Sequence, residues 1–529
     1  MSKKRIHIYD TTLRDGAQGE GISFSGAGKI KVAKRLDEFG VDYIEGGFAA
    51  SNPKDMAFFS DIKKEKLKHA KVAAFGSTRR ANTPVAEDAG TKAILDTDAP
   101  VATIFGKSWR LHVKEVLRTT EDENRAMIAD TVKHLKKHGR EVIYDAEHFF
   151  DGYKDSAEHA MSTLKAAKDA GADALVLCDT NGGSMPHEVF GITQEVIKSM
   201  GPNIGIHTHN DSELGVANSI EAVRAGAVQV QGTINGYGER TGNANLCSII
   251  PSLVLKMGCD CIAPEHLKQL RDVSLFVDEM ANQRSNRRAP FVGETSFAHK
   301  AGMHVDAVRK ITTSFEHIPP EAVGNERRIL ISELSGASNV FLKAVEMGIG
   351  MTKSSPEVKD VLRELERLEK EGYAFEAAEA SFKLLIQKVL KSHKSFFELD
   401  GFRVIVEKRK KDEPCLSEAT IKLRVNGEAE QTVAEGDGPV DALNAALRKA
   451  LRRFYKTIDN VVLTDYHVRI LDPEEATAAK TRVLIESSDG TSTWGTVGVS
   501  GNIIEASWEA LVDSVEYKLF LEEEKAKKK

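Results

Sequence analysis

The amino-acid sequence predicts an α/β protein: a (β/α)8 TIM barrel, then a helical connector, then a C-terminal α+β domain with an internal βββα-type repeat. Three observations carry this. Short apolar runs alternate with amphipathic helical stretches from Arg5 to about Gly258. Polar residues of the kind that do chemistry fall just behind those runs. After Phe396 one order of strands, Gly-led turn and helix occurs twice. At 529 residues the chain exceeds one ordinary core, so two or three domains are expected. The divisions fall at 1–280 (barrel), 281–395 (connector) and 396–529 (repeat domain).

The barrel strands are read at Ile6–Tyr9, Tyr43–Glu45, Lys71–Phe75, Val101–Phe105, Glu141–Tyr144, Ala174–Leu177, Asn203–Ile206 and Val228–Gln231. Helical patterns lie between them, among them Ala27–Phe39, Glu121–Lys137, Ser156–Ala170 and Glu188–Met200. Gly40, Gly139, Gly171 and Gly226 stand where helices end, a position that favours a left-handed residue. An open doubly wound sheet is the rival, but no GxGxxG follows the first strand. The connector reads as helices at Val358–Glu371 and Ala374–Lys391, loops at Ile318–Pro320 and Gly348–Pro356, and a polar loop at Glu294–His304. In the repeat, strand Ala419–Val425, Gly436 and a helix through Leu451 are echoed by strands Lys480–Glu486 and Thr496–Val499, Gly501 and a helix from Ile504 to about Leu519.

A net charge of -6 and a pI near 6.3 argue against a nucleic-acid surface. Five scattered cysteines suit a reducing cytoplasm rather than a disulfide framework, and Cys259 with Cys261 read as structural. No stretch is long and apolar enough to span a bilayer, and no apolar signal core opens the chain.

Active sites of such barrels lie beyond the C-terminal ends of the strands. Asp10, Arg14 and Asp15 follow strand one, Glu45 ends strand two, and Glu147 follows strand five. Asp179 and Thr180 follow strand six, His207 and His209 strand seven, and Asn235, Glu239, Arg240 and Asn243 strand eight. In an extended segment His207 and His209 project to one side. Two imidazoles and a carboxylate can hold one divalent ion. Asp15 is the candidate carboxylate, and Asn243 can add a weak oxygen ligand. The alternative is two histidines held by backbone hydrogen bonds at the rim. Arg14 can grip a carboxylate or a developing enolate oxygen; an ion pair with Asp10 or Glu45 is the alternative. Thr180 can hydrogen-bond an acceptor carboxylate or cap the helix after strand six. The three glycines of Asn235–Asn245 allow close backbone approach to a ligand, and a tight turn explains them equally well.

Asp10-Thr-Thr-Leu-Arg-Asp-Gly16, His207-Thr-His-Asn210, Gly236–Leu246, Phe297-Ala-His-Lys-Ala-Gly-Met-His304 and Gly436-Asp-Gly-Pro-Val-Asp-Ala442 together resemble the 2-isopropylmalate, homocitrate and citramalate synthases. The resemblance covers nearly the whole chain. Asp15–Phe24, Tyr43–Gly47 and Ser51-Asn-Pro-Lys54 are most similar to the citramalate branch. Phe48-Ala-Ala50 departs from its usual Trp-Pro-Gly, and Phe315 replaces a common tyrosine.

The resemblance implies an acyltransferase that joins acetyl-CoA to pyruvate and hydrolyses the thioester, opening a threonine-independent route to isoleucine. It implies a divalent metal ion (Mn2+, Mg2+, Zn2+ or Co2+), with Glu147 and His304 as candidates for the acid/base work. It also implies a regulatory, dimer-forming C-terminal domain that answers to isoleucine or leucine, in a homodimer or larger homo-oligomer. The alternatives are a 2-isopropylmalate synthase acting on 2-oxoisovalerate, a homocitrate synthase and a metal-dependent acyl-CoA lyase.

Overall fold

A computed structural model describes residues 3–50, 53–300, 302–330, 356–471 and 479–527. Ser51-Asn52 of the Ser-Asn-Pro-Lys motif and most of the Gly348–Pro356 loop fall outside the described residues. The chain forms two compact units: Met1–Phe297 with Glu316–Arg327, and Ala298–Phe315 with Arg328–Lys529.

In the first unit eight strands close into a barrel: β1 (His7–Asp10), β2 (Tyr43–Phe48), β3 (Lys71–Ser77), β4 (Val101–Lys107), β5 (Glu141–Glu147), β6 (Ala174–Asp179), β7 (Ile204–Thr208) and β8 (Gln229–Gly232). β1 pairs in parallel with both β2 and β8, which completes the ring. Several strands run further than the apolar runs suggest. Polar residues end an apolar run but still join the ladder, as Cys178 opposite His207 and Asp179 opposite Thr208 do. Helix Gly26–Phe39 starts at Ser25, whose side chain accepts the Gly28 N–H, and stops at Gly40 with φ 98°. Helix Glu121–Lys137 spans the predicted residues.

The period-2 geometry of the strands sorts their side chains. One set, including Ile8, Ile44, Ala102, Tyr144, Leu177 and Ile206, joins the large core that also takes residues from the helices. The other set packs separately as Tyr9, Tyr43, Ala73, Val101, Ile143, Val176 and Cys178. Two residues beyond Tyr43, Val101 and Ile143 stand the polar Glu45, Thr103 and Asp145, which are buried, as are His207 of β7 and Gln231 of β8. The register that builds the barrel interior therefore builds the floor of its C-terminal mouth.

In the second unit β9 (Ala298–His299) pairs in parallel with β10 (Arg328–Ile329). The segment Glu294–His304, expected as a polar loop, holds β9 and opens helix Gly302–Lys310. The short pairing and the small residues there leave little periodicity to read. Helices Pro356–Glu371 and Glu379–Val389 pack through Val358, Val361, Leu365, Phe382 and Ile386. The repeat is two antiparallel sheets, each followed by a helix. The first is β11 (Glu398–Glu407), β12 (Leu416–Val425) and β13 (Glu428–Gly436) with helix Pro439–Arg452. The second is β14 (Val462–Ile470), β15 (Thr481–Ser488) and β16 (Thr493–Ser500) with helix Ile503–Lys527. One core, with Ile421, Leu423, Leu447, Val483, Ile485 and Leu511, serves both halves.

Candidate active site

The C-terminal mouth of the barrel holds a cleft of about 250 Å³, with Arg14, Asp15, Glu147, Thr180, His207 and His209 among its lining residues. They arrive from the C-terminal ends of four strands, β1, β5, β6 and β7, or the loops behind them, so residues far apart in sequence meet only because the barrel closes.

Asp15, His207 and His209 are buried, and their ligand atoms lie within 4.8 Å of one another. His207 Nε2 is 3.4 Å from Asp15 Oδ2 and 3.3 Å from His209 Nε2. Donors about 2.1 Å from one divalent ion stand roughly 3.0–3.4 Å apart, so the spacing suits a single cation. Asn243 pairs with His209 in an isolated backbone bridge. Its side-chain Nδ2 donates to the Tyr237 carbonyl at 3.1 Å, while its buried Oδ1 has no partner. A buried acceptor left open on a residue bridged to His209 is of the kind that could serve as a ligand oxygen. Burial alone would raise the Asp15 carboxyl, but the Arg14 guanidinium and then His207 hold it far below the carboxylate range. Burial and the neighbouring His207 push His209 down to about 4. Burial pulls His207 down, but the Asp15 carboxylate raises it, so the set joins an ionised carboxylate and a neutral His209 to an imidazole that a cation must deprotonate.

Arg14 makes the ion pair with Glu45 that was the alternative reading of this residue, and it also faces Asp15, its Nη1 3.2 Å from Oδ2. Glu45 is fully buried and also accepts from Tyr9 and from Thr11, the latter at 2.6 Å. The guanidinium carbon sits 3.6 Å from the centroid of the Phe75 ring. Phe75 stacks on Phe105 at 5.4 Å, and Phe48 meets Phe75 edge-on at 5.7 Å. These three rings form one wall of the cleft. The Phe48-Ala-Ala50 departure thus contributes a phenyl group to the mouth.

The Thr180 hydroxyl accepts the backbone N–H of His148 at 2.9 Å, which ties the loop after β6 to the loop after β5. The helix after β6 starts at Met185, so Thr180 is not its cap. Glu147 lines the cleft and pairs with Lys107, a cation the sequence reading did not single out. His304 lies in the second unit, exposed, with its ring stacked on Phe315 at 4.1 Å. Where a tyrosine would offer a hydroxyl, Phe315 offers a ring face.

Asp10, Asp179 and Asn235 make local contacts at the rim, while Glu239 and Arg240 line the cleft. Asp10 accepts from the Thr12 N–H and hydroxyl, Asp179 from Ser184, and Asn235 donates to Asp278. Gly242, with φ 94°, could not carry a Cβ: the atom would fall 1.9 Å from the Gly236 carbonyl oxygen. The glycines after β8 thus fold that loop onto itself. The sequence reading also passed over Asp145 and the aromatic wall. A charged residue inside the apolar run Val142–Ala146 was the available signal.

The HMGL-like family matches residues 5–277, the homocitrate synthase post-HMGL domain-like family residues 291–372, and the LeuA allosteric (dimerisation) domain residues 376–519. The (R)-citramalate synthase of Geobacter sulfurreducens is 55% identical over 98% of this chain and 98% of its own. That of Aquifex aeolicus is 54% identical over 98% of this chain and 99% of its own. The 2-isopropylmalate synthase of Methanocaldococcus jannaschii is 30% identical over 97% of this chain and 94% of its own. An HMGL-like barrel, a post-HMGL segment and a LeuA-type repeat in this order, with such identity along the whole length, place the chain in the (R)-citramalate synthase family.

Proposed function

We propose that this protein is an acyltransferase that condenses acetyl-CoA with pyruvate and hydrolyses the thioester, giving (R)-citramalate and CoA. The observation that carries the reading is the near-full-length identity to citramalate synthases, 55% against 30% for a 2-isopropylmalate synthase. The Phe48, Phe75 and Phe105 wall supports the small acceptor: it leaves a cleft of about 250 Å³ beside Arg14. A methyl group fits beside three rings more easily than an isopropyl group.

In this reading Asp15, His207 and His209 would hold a divalent ion, with Asn243 Oδ1 beside it. Such an ion supplies Lewis-acid polarisation of a keto group. Arg14, steadied by Glu45, binds the acceptor carboxylate or the oxyanion that develops as the new bond forms. Thr180 can donate its hydroxyl proton to the same carboxylate, because its oxygen already accepts from His148. Glu147, paired with Lys107, and His304 are the candidates to take the proton from the acetyl methyl group. An acceptor panel with acetyl-CoA, followed by free thiol release, tests the reading. Pyruvate should give the highest kcat/KM, with 2-oxoisovalerate at least 10-fold lower, about 1.4 kcal/mol. Equal or better turnover of 2-oxoisovalerate would overturn it.

The C-terminal domain answers to an end-product amino acid, isoleucine first and leucine second. Inhibition by one of these, absent with other amino acids, is the expected outcome of rate measurements; equal rates with all would refute it. The working form is a homodimer or larger homo-oligomer. Val406, Val468 and Ile470 on β11 and β14 are about half exposed, an apolar surface suited to a second copy. No helix among the described residues is long and apolar enough to cross a membrane, and the five cysteines are free; both fit the cytoplasm.

A further inference from the structure

The geometry points to Gln231 as a positioning residue that, itself oriented by Asp145, fixes the tautomer of His207 and aims its Nε2 lone pair at the metal position. This rests on the metal reading of Asp15, His207 and His209. Gln231 is fully buried and stands opposite His207 in the β7–β8 register. Its Nε2 donates to Asp145 Oδ1 at 3.0 Å, and its Oε1 lies 2.9 Å from His207 Nδ1.

With Asp145 ionised, the chemistry leaves one consistent arrangement. A primary amide has a donating nitrogen and an accepting oxygen. Asp145 presents an acceptor to it, so the amide nitrogen turns there and the oxygen turns to the ring. An amide oxygen can only accept, so His207 Nδ1 carries the proton. In the neutral ring that a cation binds, His207 Nε2 then keeps its lone pair toward Asp15 and His209. A metal-binding imidazole normally needs such an acceptor on its far nitrogen, which orients the ring and raises its basicity. His209 lacks one: its Nδ1 lies 3.3 Å from Nη2 of Arg240, which can only donate. Gln231 thus presets one of the two imidazoles.

The test is Co2+ binding by the full-length metal-free protein, read from the visible absorption of the bound ion. Gln231→Met keeps the volume and removes the acceptor. It should weaken Co2+ binding by about 10- to 100-fold and shift the absorption bands. Gln231→Glu restores an acceptor and should recover most of the affinity. Asp145→Asn should weaken binding by a smaller factor in the wild-type background and by none in Gln231→Met, where no amide remains to orient. Wild-type affinity and spectrum in Gln231→Met, with binding still lost in His209→Ala, would overturn this inference and leave the metal reading standing. A wild-type protein that takes up no Co2+, or an Asp15→Ala variant that binds as well as wild type, would end the metal reading and this inference with it.

Discussion

The barrel and the C-terminal repeat put apolar residues to opposite uses. Barrel strands are covered on both faces, as β6 shows with every residue from Leu175 to Asp179 buried. Strands of the repeat alternate: Ala419, Ile421, Leu423 and Val425 of β12 are buried, while Lys422 and Arg424 between them are exposed. The barrel gathers its site from across the sequence. The repeat closes by local rules, with Asn426 and Gly427 at φ 51° and 84° turning β12 into β13 as a tight hairpin. Chemistry therefore sits where long-range closure brings groups together, and the locally built domain is free to present a surface.

This contrast can be tested by damaging each region alone. The largest effect is expected at the mouth. His209→Ala should lower kcat/KM by about 10³-fold or more, roughly 4 kcal/mol, with the unfolding of the C-terminal unit unchanged. A loss of less than 10-fold would show that the mouth does not depend on this imidazole. Leu447→Ala, in the core shared by the two halves of the repeat, should cost about 2–5 kcal/mol in denaturant unfolding of that unit. Turnover per folded barrel should stay near wild type; a matched loss of kcat would break the separation. The smallest effect is expected at the exposed strands. Val468→Lys should change the stability of the second unit by no more than about 0.5 kcal/mol. Sedimentation should nonetheless show weaker self-association if β14 meets a second copy.

The same contrast explains what could be read in advance. Continuous apolar runs revealed all eight barrel strands, but their C-terminal ends were cut short at polar residues such as Glu147 and His207. β12 and β15 showed through their alternation. β11, β13 and β14 did not, because most of their residues are exposed or half-buried and nothing in a mixed polar pattern marks a strand. Asp15, His207 and His209 were legible because loop position and i, i+2 spacing constrain where side chains can go. Asp145, Lys107 and the phenylalanine wall were not, since each matters only through a neighbour on another strand.

By itself, the sequence determined the alternation of strands and helices, the duplicated C-terminal unit and the donor types available at the mouth. These follow from short-range periodicity and side-chain chemistry. Only the tertiary structure decided that Glu45 grips Arg14, that three rings narrow the cleft, and that Gln231 bridges Asp145 to His207. Those contacts depend on which strand pairs with which and on the register between them, and neighbours in a closed barrel can be hundreds of residues apart, as β1 and β8 are.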